Sequence, residues 1–353
     1  MIKVLIDTSP LTTLSAIRGI GVYTRLMCQH LEKIEDLEIR QSVAPGDSSE
    51  FKPDIIHYPY FDLFFDTLPF VKTQRTVVTI HDVIPLLFMD KYQPGLKGRL
   101  RFEKQRVSLW SSDAIITDSY ASKEDIKRQL LIKEKKMNVV YLAGNPGVEA
   151  VGPRAVGEVK KKYNLPEDYI LYVGDINYNK NIPQLIKALK YLPENIKLVL
   201  LGKNFKPQEI EEWQWIETQI AMSDVNGRVQ FLPEILGQAD AELSAIYTGA
   251  RVYVQPSLYE GFGLPVLEAM QAKTPVVCAR NSSLIEVGGN SVIFTDPDGE
   301  ALAEGVNQFL EMETEDRHDW VEKALAWSKT FSWDKTAQET ADVYRQVMGL
   351  TEK

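Results

Sequence analysis

Short apolar runs recur in the first half of the chain at Val4–Ile6, Ile55–Ile56, Val77–Ile80, Ala114–Thr117 and Val139–Tyr141, separated by stretches with helical apolar spacing. That alternation predicts the βαβ rhythm of a parallel sheet. A second series follows at Tyr169–Val173, Leu198–Leu201, Val229–Leu232, Val252–Val254, Val276–Cys278 and Val292–Phe294. Between the two lies a Gly/Pro-containing segment, Ala143 to Pro153, which reads as a linker. The expected fold class is α/β, with two Rossmann-like halves at residues 1–150 and 151–332. A last amphipathic stretch, Trp333 to Met348, sets Trp333, Ala337, Ala341 and Tyr344 on one helical face.

The most informative stretch is residues 257–275, Ser-Leu-Tyr-Glu-Gly-Phe-Gly-Leu-Pro-Val-Leu-Glu-Ala-Met-Gln-Ala-Lys-Thr-Pro. A strand is expected before it and a helix over Leu264 to Met270, so Gly261 and Gly263 fall where strand becomes helix. Glycine lets the backbone approach a ligand, and the unpaired N–H groups that open a helix suit a phosphate. The two carboxylates could be a hydrolytic pair. If every step between Glu260 and Glu268 were helical, however, they would lie roughly 12 Å apart along the axis, beyond the roughly 5 to 9.5 Å of paired glycosidase carboxylates. They are expected to do different jobs. Glu260 at the turn would face a reacting group, and Glu268, two turns into the helix, could accept hydrogen bonds from a ribose diol. The blander alternative is a helix cap and a solvated helix residue.

Glu260-Gly-Phe-Gly-Leu-Pro through Glu268 resembles the E-x7-E motif of retaining GT-B glycosyltransferases of sequence family 4. The resemblance implies that Glu260 lies against the donor sugar. It implies that the backbone of Gly261, Phe262, Gly263 and Leu264 holds sugar hydroxyls and diphosphate, and that Glu268 binds the ribose. It also implies a terminal helix, residues 333–353, crossing back to the first domain, and a ligand cleft between two sheets.

Three further constellations follow in the order of that family. Arg18-Gly19-Ile-Gly21-Val-Tyr-Thr24 fails as a dinucleotide fingerprint, because Thr24 occupies the third glycine position and a long loop precedes it. It resembles the family's N-terminal glycine loop, which implies that Gly19 and Gly21 lie by donor phosphate and acceptor; the alternative is a plain helix start. His81 and Asp82 end a strand, where polar groups usually face a cleft. A histidine satisfied by local hydrogen bonds is the other reading. His81-Asp-Val-Ile-Pro85 looks like the segment of family members that transfer mannose and related sugars, which implies that His81 lies over the sugar. Lys180 follows Gly174-Asp-Ile-Asn-Tyr-Asn179 at an expected helix start, where a cation opposes the dipole unless it is simply exposed or an anionic ligand compensates it. The family has basic residues where this chain carries Asp175 and Asn179, which leaves Lys180 as the evident diphosphate cation of the segment.

Asp296-Pro-Asp298 spells D-x-D, the metal–diphosphate signature of the other large glycosyltransferase fold. It stands just before a helical run, so Asp298 reads as a helix cap. No metal and no resident cofactor are expected, the nucleotide sugar, GDP- or UDP-linked, being a co-substrate. Cys28 and Cys278 lie in apolar contexts in opposite halves, which argues against a disulfide.

A chain of 353 residues with 44% hydrophobic content supports two well-packed domains. The net charge of −9 is uneven: residues 1–150 hold 20 basic against 19 acidic residues, and the remainder 20 against 30. Lys97, Arg99, Arg101, Lys104 and Arg106 share one expected helix, with Lys123, Lys127, Arg128, Lys133, Lys135 and Lys136 beyond it. They are either solvated faces or, with the aromatic segment Tyr58 to Phe65, a surface for an anionic acceptor or lipid. An acidic total without a basic groove argues against nucleic acid. No apolar run reaches transmembrane length and no signal peptide is evident, so a cytoplasmic protein is expected, peripheral to the inner membrane face at most.

The function these features imply is metal-independent, retaining transfer of a hexose, mannose from GDP-mannose first, to a glycan or lipid-linked acceptor hydroxyl. Glu260, His81 and Lys180 are the expected catalytic residues. A sugar-nucleotide epimerase, a phosphorylase and a nucleotide-sugar-binding protein without turnover are the alternatives.

Overall fold

The computed structural model describes residues 1–12, 19–44, 51–233, 235 and 240–350. Arg18 and most of the loop before it therefore lie outside the described residues. The chain divides into two compact units, Met1–Leu142 with Phe331–Lys353, and Ala143–Thr330.

The first unit contains an all-parallel sheet of β1 (Ile2–Asp7), β2 (Leu37–Ser42), β3 (Ile55–Tyr58), β4 (Arg75–Thr79), β5 (Ala114–Thr117) and β6 (Met137–Val139). Their order is β2-β1-β3-β4-β5-β6. Around it run α1 (Gly19–Leu31), α2 (Ile84–Leu87), α3 (Leu96–Trp110) and α4 (Tyr120–Leu130). Strands β3 and β5 are buried at every residue, which explains their mainly apolar sequences, broken in β3 by the buried His57. Strand β2 was not among the expected runs. It is an edge strand reading Leu-Glu-Ile-Arg-Gln-Ser, of which only Leu37 is buried. The terminal helix Trp333–Met348 belongs to this unit, with Ser332 as its N-cap. It is fixed by its buried Trp333, Ala337, Ala341 and Tyr344 and by an Arg345–Asp36 pair with two hydrogen bonds, of 2.6 and 2.9 Å.

The second unit carries β7 (Tyr169–Val173), β8 (Lys197–Leu201), β9 (Val229–Leu232), β10 (Val252–Gln255), β11 (Val276–Ala279) and β12 (Ile293–Thr295). The sheet is again parallel, in the order β12-β11-β10-β7-β8-β9. The chain builds outward from β7 to β9, then returns to the other side of β7 for β10. Strands β7 and β10 thus flank the topological switch point, the place where doubly wound sheets bind ligands beyond their carboxyl ends. Helices α5 (Pro153–Tyr163), α6 (Ile182–Ala188), α7 (Glu211–Ser223), α8 (Asp240–Thr248), α9 (Leu264–Gln271), α10 (Leu284–Gly288), α11 (Gly299–Glu311) and α12 (Thr314–Ser328) complete it. One core cluster joins Tyr172, Leu200 and Val254 on one face of the sheet to Leu185, Phe205 and Phe309 packed over it. Asp298 caps α11, its Oδ1 accepting from the N–H groups of Glu300 and Ala301.

Candidate functional site

The switch point of the second unit is where the chemistry gathers. Strand β7 ends at Val173, and the chain runs through Gly174 to a single 3₁₀ turn, Tyr178–Lys180. Strand β10 ends at Gln255, five residues before Glu260. Lys180 Nζ donates to both oxygens of Glu260, at 2.8 and 2.7 Å. Gln255 Nε2 and Ser257 Oγ donate to the same carboxylate at 2.8 and 2.6 Å. The Glu260 side chain is 9% exposed and that of Lys180 is 20%. Three donor groups therefore converge on one nearly buried carboxylate through four hydrogen bonds, which fix its orientation.

This pairing sets aside the simply exposed Lys180 of the two sequence alternatives and adds a protein counter-charge that neither of them named. Its counter-charge is Glu260. It also removes the idea of Glu260 as a helix cap, because the N-cap of α9 is Gly263. Gly263 has φ 111°, a left-handed conformation that favours glycine, and Pro265 sits in the first turn. With α9 beginning at Leu264, the eight steps from Glu260 to Glu268 are not all helical, and Glu268 lies about one turn into the helix rather than two.

The two segments that meet here are stitched by asparagines. Asn179 is buried; its Nδ2 donates to the Tyr259 carbonyl at 2.9 Å, and its own carbonyl accepts from Leu258 N–H at 2.8 Å. Asn181, at φ 58°, donates to the carbonyls of Pro256 and Pro297. Asp175 accepts from Ile176 N–H and from Asn204. The two positions that depart from the family's basic pattern thus build the turn that carries Lys180. Behind Glu260, Ser282 Oγ accepts its N–H at 3.0 Å, and Ser283 Oγ bridges the carbonyls of Glu260 and Phe262. Gly261 and Phe262 are buried in this turn. Gly174 closes on the neighbouring strand: a Cβ at Gly202 would stand 1.9 Å from the Gly174 carbonyl oxygen.

Glu268 accepts from the Tyr247 hydroxyl at 2.9 Å. Burial pushes its pKa up, the Tyr247 hydroxyl and Asn145 N–H hold it down, and the charge of Asp240 raises it again.

In the first unit, His81 follows β4 and its Nδ1 lies 2.7 Å from Asp118 Oδ2, beyond β5. Asp82 Oδ1 accepts from Ile84 N–H at 2.9 Å, holding the entry to α2. Gly19 and Gly21 were expected at a strand-to-helix turn but lie inside the first turn of α1, Gly21 buried and Gly19 with open space where a Cβ would stand. Beneath them runs a buried polar chain: Tyr344 Oη to His57 Nδ1 at 2.6 Å, His57 Nε2 to Thr79 Oγ1 at 2.8 Å, and Thr79 Oγ1 to Tyr23 Oη at 3.1 Å. Burial, then the charge of His81, depresses the pKa of His57 to about 3.

The basic and aromatic clusters separate. Tyr58 and Phe61 are core residues, while Phe65 is exposed. Lys127 pairs with Glu134, Arg128 with Asp125, and Lys136 donates to the carbonyls of Trp110 and Ser112. Helix α3 is inverted. It buries Gln105, Ser108 and Leu109 and exposes Leu96, Leu100, Val107 and Trp110 in a stripe that also holds Glu103, flanked by Arg99 and Arg106 on one side and Lys97, Arg101 and Lys104 on the other, with Arg106 paired to Glu103 and Arg101 and Lys104 to Asp66. Cys28 and Cys278 are buried free thiols. Among the described residues no helix is long and apolar enough to cross a membrane.

Residues 157–327 match the family described as glycosyl transferases group 1, and residues 44–144 match Glycosyltransferase Family 4. The O-antigen chain mannosyltransferase B of Escherichia coli is 32% identical over 308 residues, covering 84% of this chain and 75% of that protein. Among solved structures, the sucrose-phosphate synthase of Thermosynechococcus elongatus aligns with a TM-score of 0.77 at 18% identity, covering 99% of this chain and 100% of that one. Anabaena HepE in complex with UDP and glucose aligns with a TM-score of 0.75 at 18% identity, covering 98% and 100%. The fold they share with this chain is GT-B, two Rossmann-like α/β domains.

Proposed function

This chain belongs to the family 4 glycosyltransferases of GT-B fold, and on that footing we propose that it transfers a hexose from a nucleotide diphosphate sugar to an acceptor hydroxyl, with retention and without a metal. The observation that carries this is the Lys180–Glu260 pair between the ends of β7 and β10, with Glu268 on the following helix. Departure of the nucleoside diphosphate concentrates negative charge on its phosphates, and fixed positive groups are the largest lever on such a step. Lys180 supplies that charge beside the turn of Gly261, Phe262, Gly263 and Leu264. Glu260 then faces the sugar, whose anomeric carbon becomes positive as the bond stretches. Glu268 receives the ribose, and Gly174 keeps the backbone close to the diphosphate. His81 and Asp82, with Gly19 and Gly21, serve the sugar and acceptor side.

Mannose from GDP-mannose is the donor we favour, because the E. coli relative is named a mannosyltransferase and His81-Asp-Val-Ile-Pro85 resembles the segment of family members that transfer mannose. UDP-linked hexoses come second. For the acceptor we propose a glycan or lipid-linked glycan at an anionic membrane surface on the cytoplasmic side, approached through the exposed apolar and basic stripes of α3.

The test is product analysis with GDP-mannose, UDP-glucose and dTDP-glucose in the presence of a chelator, with glycan and glycolipid acceptors. A new α-mannoside together with free GDP supports the reading. Transfer that requires a divalent ion, or inverted product, refutes the mechanism; isomerised donor or sugar 1-phosphate refutes the reaction.

A further inference from the structure

His81 and Asp118 leave neighbouring strands at the same level. Strands β4 and β5 pair with Thr79 opposite Ile116, so two residues on, His81 stands opposite Asp118. Their contact, 2.7 Å from Nδ1 to Oδ2, is enclosed: Asp118 is 2% exposed and the His81 side chain 16%. Tyr23 of α1 meets the imidazole edge-on, with ring centroids 4.8 Å apart and planes at 87°, and its hydroxyl is hydrogen-bonded to Thr79. The ring is therefore held at Nδ1 and braced along one edge. Its other nitrogen, Nε2, makes no well-formed hydrogen bond although the Pro59 carbonyl lies close enough to act on the ring, and Asp118 Oδ1 is buried without a partner. A buried polar atom left unsatisfied is destabilising. A pair that leaves one such atom on each member is arranged for something besides stability.

We propose that Asp118 is a positioning residue for His81: by accepting from Nδ1–H it fixes the ring's tautomer and orientation, so that Nε2 is the atom His81 presents to the bound sugar. The inference rests on the reading of His81 given above. A carboxylate behind an imidazole sets which nitrogen carries the proton, and so what the other nitrogen can do. Below the histidine pKa, Nε2–H donates to a sugar oxygen; above it, Nε2 accepts from a hydroxyl. The groups that face the ring agree with an Nδ1–H donor. Burial alone would lower its pKa, but the charge and hydrogen bond of Asp118, then Asp82 and the Pro59 carbonyl, hold it above the ordinary histidine value. His57 stays neutral, and Tyr23 keeps its proton because burial raises its pKa, so neither opposes this.

The experiment is ¹⁵N NMR of histidine-labelled protein across a pH series for the wild type, Asp118→Asn and Asp118→Glu, with donor kinetics on the same samples. In the wild type, His81 Nδ1 carries a proton throughout and Nε2 titrates, with a midpoint above about 6.5. In Asp118→Asn the amide can donate to Nδ1. The tautomer should invert, the midpoint and the matching limb of the pH–rate profile should fall, and kcat should drop by at least about tenfold with donor KM within about twofold. Asp118→Glu should recover the tautomer and part of kcat. A wild-type tautomer and titration in Asp118→Asn overturns the proposal, as does a loss confined to thermal stability with kcat intact. The tautomer is read without substrate, so its failure is distinct from failure of the donor reading. That failure would appear as no sugar transfer by the wild type, and would overturn the positioning role with it.

Discussion

Lys180 Nζ stands 2.8 and 2.7 Å from the two carboxylate oxygens of Glu260, joining the chain that leaves β7 to the chain that leaves β10. Each is the other's counter-charge in the absence of ligand. A diphosphate that takes the lysine must therefore draw it away from a carboxylate that keeps two other donors, Gln255 and Ser257. Under the proposed function, donor binding and the release of Glu260 toward the sugar become one event.

Removing one partner leaves the other buried and uncompensated, which costs about 3–5 kcal/mol where burial is complete and less here, because Lys180 retains some solvent. Lys180→Met and Glu260→Gln should each destabilise the protein, and the double variant by clearly less than their sum. A double-mutant cycle in urea unfolding checks this, with a coupling of about 1–3 kcal/mol expected.

Because His57 has its pKa depressed to about 3, it stays neutral in the folded protein while the unfolded chain protonates near pH 6.5. Its contribution is present above about pH 6.5 and is lost as pH falls toward 3. At pH 4.5 the loss should be about 2–3 kcal/mol. His57→Gln should show a shallower fall in unfolding free energy over that window, measured against the wild type at matched pH.

Gly263 and Gly19 should respond oppositely to alanine. At Gly263, φ 111° and a Cβ 3.0 Å from Leu284 Cδ2 make the substitution strained, at a cost of about 1–3 kcal/mol. Around Gly19 nothing lies within 4 Å of the added Cβ. Gly19→Ala should keep or slightly raise the melting temperature, yet lower kcat/KM if ligand approaches there. Thermal unfolding and donor kinetics on both variants separate the two effects.

Leu96 and Leu100 are 82% and 74% exposed between basic residues of α3. The protein should bind vesicles containing phosphatidylglycerol and not those of phosphatidylcholine alone, with each nearby basic residue worth about 1 kcal/mol. Leu96→Glu with Leu100→Glu should abolish sedimentation with vesicles while transfer to a water-soluble acceptor persists.

Most of both sheets was legible because the inner strands, such as β4, β5, β7, β8, β10 and β11, are buried on both faces and read as short, largely apolar runs. Strand β2 was missed because an edge strand with one buried residue carries no such signal. The Glu260 turn was legible from its two glycines. The partner of Lys180 was not, since it comes from eighty residues away, and spacing says nothing of which strand ends are neighbours until the order β10-β7 is known. For the same reason Asp118 was overlooked. It is one acidic residue at the end of an apolar run, and only the β4–β5 register sets it opposite His81. Asn179 looked like a lost cation in sequence; its burial and its bond to Tyr259 make it a fastener of the lysine turn.

The most direct test of the account is titration calorimetry of GDP and UDP into the wild type, Lys180→Met and Glu260→Gln, in chelator. The account predicts that Lys180→Met loses at least about tenfold in affinity, roughly 1.4 kcal/mol, whereas Glu260→Gln binds the free diphosphate as tightly as the wild type or more so, its lysine being already released. Unchanged affinity in Lys180→Met, or a loss in Glu260→Gln as large as that in Lys180→Met, would contradict it.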